Sequence, residues 1–90
     1  MPGIVLEVAT PKGLALRESG LDAVVVRRRE PDRERGSEVA VLPRHAPMLV
    51  TVCAHELRYR RGEHIGHLTV GPGVAEVLDD TVTLLVSSAG

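Results

Sequence analysis

The sequence predicts an all-β protein, a flattened β-sandwich or barrel of about eight to ten short strands. Three observations carry that expectation. The 90 residues include 14 Val, 2 Ile and 5 Thr, a composition suited to pleated surfaces. Apolar runs are short, and Gly, Pro or Asx clusters interrupt them every roughly eight to twelve residues. No window of about 12 residues carries the 3.6-residue apolar period of an amphipathic helix.

Each element follows from its local pattern. Ile4, Leu6 and Val8 alternate with Val5, Glu7 and Ala9, a first strand that Thr10-Pro11-Lys12-Gly13 ends as a turn. Asp22 to Arg28 holds Ala-Val-Val-Val, apolar on both faces, and is expected to be covered on both sides. Glu38 to Leu42 is a short strand stopped by Pro43, and Pro47 precedes another from Met48 to Cys53. Glu56 to Arg60 alternates strictly, with Leu57 and Tyr59 on one face. Arg61-Gly62-Glu63-His64 then turns into a strand from Ile65 to Val70. Gly71-Pro72-Gly73 breaks the next run, because Pro72 has no N–H to donate to a ladder. Val74 to Leu78 and Val82 to Val86 form a last hairpin around Asp79-Asp80.

Composition removes several function classes. Eleven basic side chains against twelve acidic give a formal net charge of −1, so no global basic field invites nucleic acid. A single Cys excludes an intrachain disulfide framework and a thiolate zinc cluster. One Tyr, with no Trp or Phe, leaves no aromatic platforms for stacking bases. The N-terminus reaches Glu7 without the long apolar run of a signal peptide. No apolar stretch approaches the roughly 20 residues of a membrane-spanning helix. Residence in the cytosol or an equivalent reducing space is expected, with membrane association only through a partner.

The chemical inventory is thin. His45, His55, His64 and His67 invite a metal reading, but His64 and His67 point to opposite faces of a strand, and no acidic or Cys partner completes a ligand spacing. They are expected to be solvated or structurally hydrogen-bonded. Cys53 reads as an inert thiol at a strand end, and Asp79-Asp80 as turn chemistry. The most charged stretch, Arg27 to Glu38, carries five Arg and four acids, a net +1. It is polyampholytic, either a solvated loop or a polar docking loop for a partner.

Val41-Leu42-Pro43-Arg44-His45-Ala46-Pro47-Met48-Leu49 is the most informative segment. It resembles the Leu-Pro-Gly-His-Ala-Pro-Leu-Leu motif of the epsilon subunits of F-type ATP synthases, called delta in mitochondria. The resemblance continues in order. Ile4 to Pro11 looks like that family's opening strand and Thr-Pro turn, Leu21 to Val26 like its Val-rich strand, Val70 to Val77 like its Ser-Gly-Gly-Phe-Val-Glu-Val, and Thr81 to Ala89 like its closing strand.

What the resemblance implies is a non-catalytic central-stalk subunit without a cofactor, its residues 1–90 forming the N-terminal β-sandwich domain. Such a domain packs on the gamma subunit and meets the polar loops of the membrane c-ring, coupling ring rotation to the shaft that drives ATP synthesis. By position, Thr10, His45 and Val50 match residues near gamma, and Glu38 matches one facing the c-ring. The ring-facing loop would then carry Arg28, Arg29, Arg33, Arg35 and Glu38. The implied location is the cytoplasmic face of a bacterial inner membrane, as a peripheral subunit.

Departures from the family pattern carry expectations of their own. Arg44 stands where the motif has Gly, which argues against a backbone with φ > 0 there. Ser37 and Ala40 replace Gly before the motif, and Pro72 replaces another. The charged loop from Arg27 to Arg35 is longer than usual by about six residues. The sequence ends at Gly90, so no C-terminal helical hairpin, and with it no ATP binding, is expected of this chain. Two other readings stand beside the stalk subunit: a free-standing β-sandwich interaction module, and a His-ligated metal β-barrel enzyme.

Overall fold

Nine strands follow one another in the computed structural model, which describes residues 3–90; Met1 and Pro2, at the start of the N-terminal run, lie outside the described residues. They are β1 (Ile4–Thr10), β2 (Gly13–Leu21), β3 (Ala23–Glu30), β4 (Arg33–Val41), β5 (Met48–Val52), β6 (His55–Arg61), β7 (His64–Val70), β8 (Gly73–Leu78) and β9 (Thr81–Val86). One curled sheet runs in the order β2-β1-β9-β8-β5-β3-β6-β7, with β4 on the free side of β3. β3 is the hinge of the curl: Ala23 to Val25 pair with β6, while Arg28 pairs with Val52 of β5. The two halves thereby face each other as a flattened sandwich, 37 × 28 × 23 Å.

Alternation selects the core. Ile4, Leu6 and Val8 of β1, Val82, Leu84 and Val86 of β9, and Ala75 and Val77 of β8 line one wall, all at most 4% exposed. Val24 and Val26 of β3, Leu57 of β6 and Val70 of β7 line the other. Every fully buried side chain is aliphatic, and no described polar side chain is buried. Tyr59, the single aromatic, packs on this core from its edge. Its ring lies over Gly66 directly across the ladder, where a Cβ would overlap it.

Turn chemistry closes the hairpins. Asp79 and Asp80 have φ of 50° and 57°, the two positive angles of a type I′ turn, which Asp tolerates better than most residues. Gly62 supplies the positive φ (59°) at the first corner of the β6–β7 turn. Pro11 and Pro31 open the β1–β2 and β3–β4 turns, with φ preset for that corner.

Two expectations need correction, and one strand was not foreseen. Gly13 to Leu21, of which the sequence pattern assigned only Gly13, to a turn, is a strand. It lies on an edge with Arg17, Glu18 and Ser19 along it, held by pairing with β1 and by Leu16 and Leu21 against the core. β3 is covered on one side only, with Val24 and Val26 buried but Ala23 and Val25 half-exposed. The charged segment is not a loop. β3 and β4 extend through it as a paired hairpin that turns at Pro31-Asp32. Opposite charges across that ladder, Arg27 against Glu38 in register, favour pairing where composition alone suggested solvated coil.

Candidate functional site

The outward face of the β2-β1-β9-β8-β5 half carries an apolar row that the core does not use. In register across five strands stand Leu14, Ala9, Leu85, Val74 and Thr51. Leu14 is 63% exposed and Leu85 59%. Leu49 and Leu78, 70% and 47% exposed, line a shallow depression beside Pro47, with Met48 beneath it against the core. Ala9, Thr10, Pro11 and Leu85 line another. Between them run Arg17, Glu7, Thr83 and Glu76, with Arg17 and Glu7 paired at 3.0 Å. Exposed apolar rows bordered by polar groups are the mark of a docking face.

The proline-bounded loop borders this face. Arg44 has φ of 68°, the left-handed conformation that its replacement of glycine argued against. Its backbone N–H donates to Asp80 Oδ1 at 2.7 Å, and the Asp80 carbonyl accepts from Val5 N–H at 2.9 Å. The His45 N–H returns to the Leu42 carbonyl at 3.1 Å, and the ring Nδ1 meets the Ala46 carbonyl at 2.6 Å. The half-exposed ring is thus held by its own loop.

Thr10, His45 and Val50 are not clustered. His45 follows Arg44 at the Val5 end of β1, whereas Thr10 ends that strand, about 17 Å away at 3.3 Å per residue. The outer face joins those two ends, because its depressions reach Thr10 on one side and Pro47 on the other. Val50 turns inward opposite Ala75 and packs half-buried on the core.

The second candidate region is the charged hairpin. Glu38 accepts from Arg27 at 3.2 Å and from Arg58 of β6 at 2.6 Å, tying β4, β3 and β6 together on their outward side. Glu30 holds Arg28 at 2.9 Å, with Arg33 at 3.9 Å. Arg29 and Arg35 have no carboxylate within salt-bridge distance among the described residues. The tip flanks the Cys53-Ala54 and Pro72 turns, with which Arg29, Glu30, Pro31 and Arg33 line a groove. Gly36, φ 70°, lets β4 pass the Arg28 carbonyl; a Cβ there would overlap that oxygen.

At the hairpin root, His55 stands in for backbone. Its Nδ1 donates to the Cys53 carbonyl at 2.6 Å and its Nε2 accepts from Arg27 N–H at 3.2 Å. Burial lowers its pKa below the ordinary 6.5, with Arg27 adding to that and the Cys53 bond and Glu38 opposing it. Cys53 is a free thiol whose Sγ–H faces the Arg27 and Arg35 carbonyls. His67 lies 3.4 Å from Glu56 on the outward face. Among the described residues no three His, Cys, Asp or Glu side chains gather as metal ligands.

Sequence reasoning missed the outer row. A trace of it existed: in Thr81-Val82-Thr83-Leu84-Leu85-Val86 the alternation breaks at Leu85, which places a large aliphatic on the solvent side.

Comparison with known proteins agrees with this architecture. A family model described as "ATP synthase, Delta/Epsilon chain, beta-sandwich domain" matches residues 4–90. An ATP synthase epsilon chain of Syntrophobacter fumaroxidans is 41% identical over 86 residues, covering 96% of this chain and 59% of the relative. That of Halalkalibacterium halodurans is 32% identical over 89 residues, covering 99% and 62%. The chain therefore spans about three-fifths of the length of these relatives. Two solved structures share the fold. One is a chain of the Euglena gracilis mitochondrial ATP synthase OSCP/F1/c-ring, with TM-score 0.81 and 20% identity over 98% of this chain and 52% of that one. The other belongs to the Tetrahymena thermophila mitochondrial ATP synthase central stalk and c-ring, with TM-score 0.75 and 15% identity over 99% and 66%.

Proposed function

This chain belongs to the delta/epsilon-chain β-sandwich family of ATP synthases, and from that premise we propose that it is a non-catalytic subunit of the rotary central stalk. It couples c-ring rotation to the gamma shaft, and so to ATP synthesis or hydrolysis, by rigid contact rather than by chemistry. The observation that carries this reading is the exposed apolar row Leu14, Ala9, Leu85 and Val74, backed by continuous ladders from β2 to β5. Torque needs a surface that does not yield. Five hydrogen-bonded strands over an aliphatic core offer one.

In this arrangement gamma covers the outer face, with Thr10 and His45 at its two ends. Val50 contributes from beneath, by holding β5 against Ala75. The c-ring meets the hairpin through Arg29, Arg33 and Arg35 toward its tip, with Arg28 and Glu38 nearer its root. Arg29 and Arg35 are the cations there best suited to acidic or polar loops, while the other three spend charge on pairs within the sheet. The subunit is peripheral, on the cytoplasmic face of a bacterial inner membrane, and holds to the membrane only through the complex.

Co-expression with a gamma subunit and a c-ring, followed by affinity capture, tests the reading. The expected result is a stoichiometric stalk that releases this chain when Leu85 is made Asp. Recovery of an intact stalk that excludes the wild-type chain would overturn it.

A further inference from the structure

Where the β3 ladder changes partner, at the root of the charged hairpin, a side chain takes the place of a strand carbonyl. β3 pairs with β6 through Val25 and with β5 at Arg28. Arg27, between them, has no strand carbonyl for its N–H and donates to His55 Nε2 at 3.2 Å. The other ring nitrogen holds the Cys53 carbonyl at 2.6 Å, and Cys53 N–H returns to the Arg27 carbonyl at 3.2 Å. The imidazole thus closes a ring of hydrogen bonds between β3 and the β5–β6 link. We propose that His55 is a proton-sensitive latch: neutral, it locks the root of the β3–β4 hairpin; protonated, it releases the Arg27 amide and loosens the hairpin.

The chemistry follows from the donor count. A backbone N–H can only donate, so Nε2 must carry its lone pair and Nδ1 its proton. Protonation places a second N–H on Nε2, pointing at the Arg27 N–H, and two donors then meet where one bond was. The surroundings set the direction. Arg27, Glu34, Arg35, Cys53 and Glu56 line the groove that His55 occupies, and Glu38 lies behind Arg27. Half-burial and the Arg27 guanidinium disfavour the imidazolium, against Glu38 and the Cys53 carbonyl, which favour it. The neutral ring is therefore the resting state near pH 7, and a fall in pH is the signal. If the hairpin faces the c-ring, which rests on the stalk reading above, acidification loosens that contact first.

The latch itself belongs to the isolated chain, so its test needs no partner and stands apart from the rotary reading. Nitrogen-15 NMR would follow both His55 ring nitrogens from pH 8 to 5. In parallel, hydrogen exchange at the Arg27 amide would be corrected for the intrinsic pH dependence of exchange. The expected result is an Nδ1–H tautomer above the transition and a midpoint below 6.5. Arg27 protection should fall about three- to tenfold with the same midpoint, while Leu84 in β9 is unchanged. In His55→Gln, whose amide can still accept from Arg27, the fall is absent. An Nε2–H tautomer, Arg27 protection indifferent to His55 charge, or the same fall in His55→Gln would each overturn the proposal.

Discussion

The Arg44 backbone N–H donates to Asp80 Oδ1 across 2.7 Å, joining the proline-bounded loop to the β8–β9 turn. The bond requires Arg44 to hold φ at 68°, a conformation that costs a non-glycine residue about 1 kcal/mol or more. Only the backbone donates, so Arg44→Gly keeps the bond and removes the strain. Offset by the extra freedom of an unfolded glycine, the expected gain is about 0.5–1 kcal/mol by urea unfolding. Asp80→Ala removes the acceptor and puts Ala at φ 57°, for an expected loss of about 1–2 kcal/mol.

Gly36 separates strain from overlap. Gly20 and Gly36 have nearly equal φ, 66° and 70°, but Gly20 has open space beside it while Gly36 faces the Arg28 carbonyl. Gly20→Ala is expected to cost about 1 kcal/mol, for the backbone conformation alone. Gly36→Ala must also push β4 from β3 and is expected to cost at least about 2 kcal/mol more. Equal losses in thermal or urea unfolding would mean that β4 relaxes around the new Cβ without cost.

These two glycines mark a boundary in what the sequence discloses. Strands β1, β6, β7, β8 and β9 were legible because alternation fixes which face is buried. β2 and the outer half of the β3–β4 hairpin were not, because Arg, Glu and Ser on an exposed edge read as coil until a partner strand is known. His55 was one of four histidines with no local distinction. Its role depends on Arg27, 28 residues earlier in the chain, and on where the β3 ladder changes partner. The turn at Asp79-Asp80 was readable, but not that Asp80 would fasten Arg44.

Leu84 and Leu85 are neighbours with opposite duties, one at 0% exposure and the other at 59%. Leu84→Ser empties a core position and is expected to cost about 3–5 kcal/mol. Leu85→Ser should leave unfolding within about 0.5 kcal/mol of wild type. On the stalk reading it nevertheless weakens gamma binding at least tenfold, because apolar anchors at the centre of a face dominate affinity. Calorimetric titration of gamma into each folded variant measures the difference, and unchanged binding by Leu85→Ser would remove this face as the interface.

The same titration distinguishes two histidines. His45 stands at one end of the outer face, with its ring held against the Ala46 carbonyl, while His64 is exposed beside the β6–β7 turn. His45→Ala is expected to weaken gamma binding several-fold and His64→Ala not at all. Equal effects would contradict the assignment of His45 to that interface.

His55 also fixes the sign of a pH dependence in stability. Its folded pKa is depressed, first by burial, so between that value and 6.5 the unfolded chain binds the proton more readily. The contribution of the neutral ring is complete above pH 6.5. It declines as the pH falls through that value and levels off below the folded pKa. The experiment compares wild type with His55→Gln in urea at intervals from pH 8 to 5. The stability difference should be largest at pH 8 and narrow toward pH 5, because only the wild type carries the titrating ring. A difference that widens on acidification would mean that the folded protein binds the proton more tightly, as an imidazolium paired with Glu38 or Glu56 would.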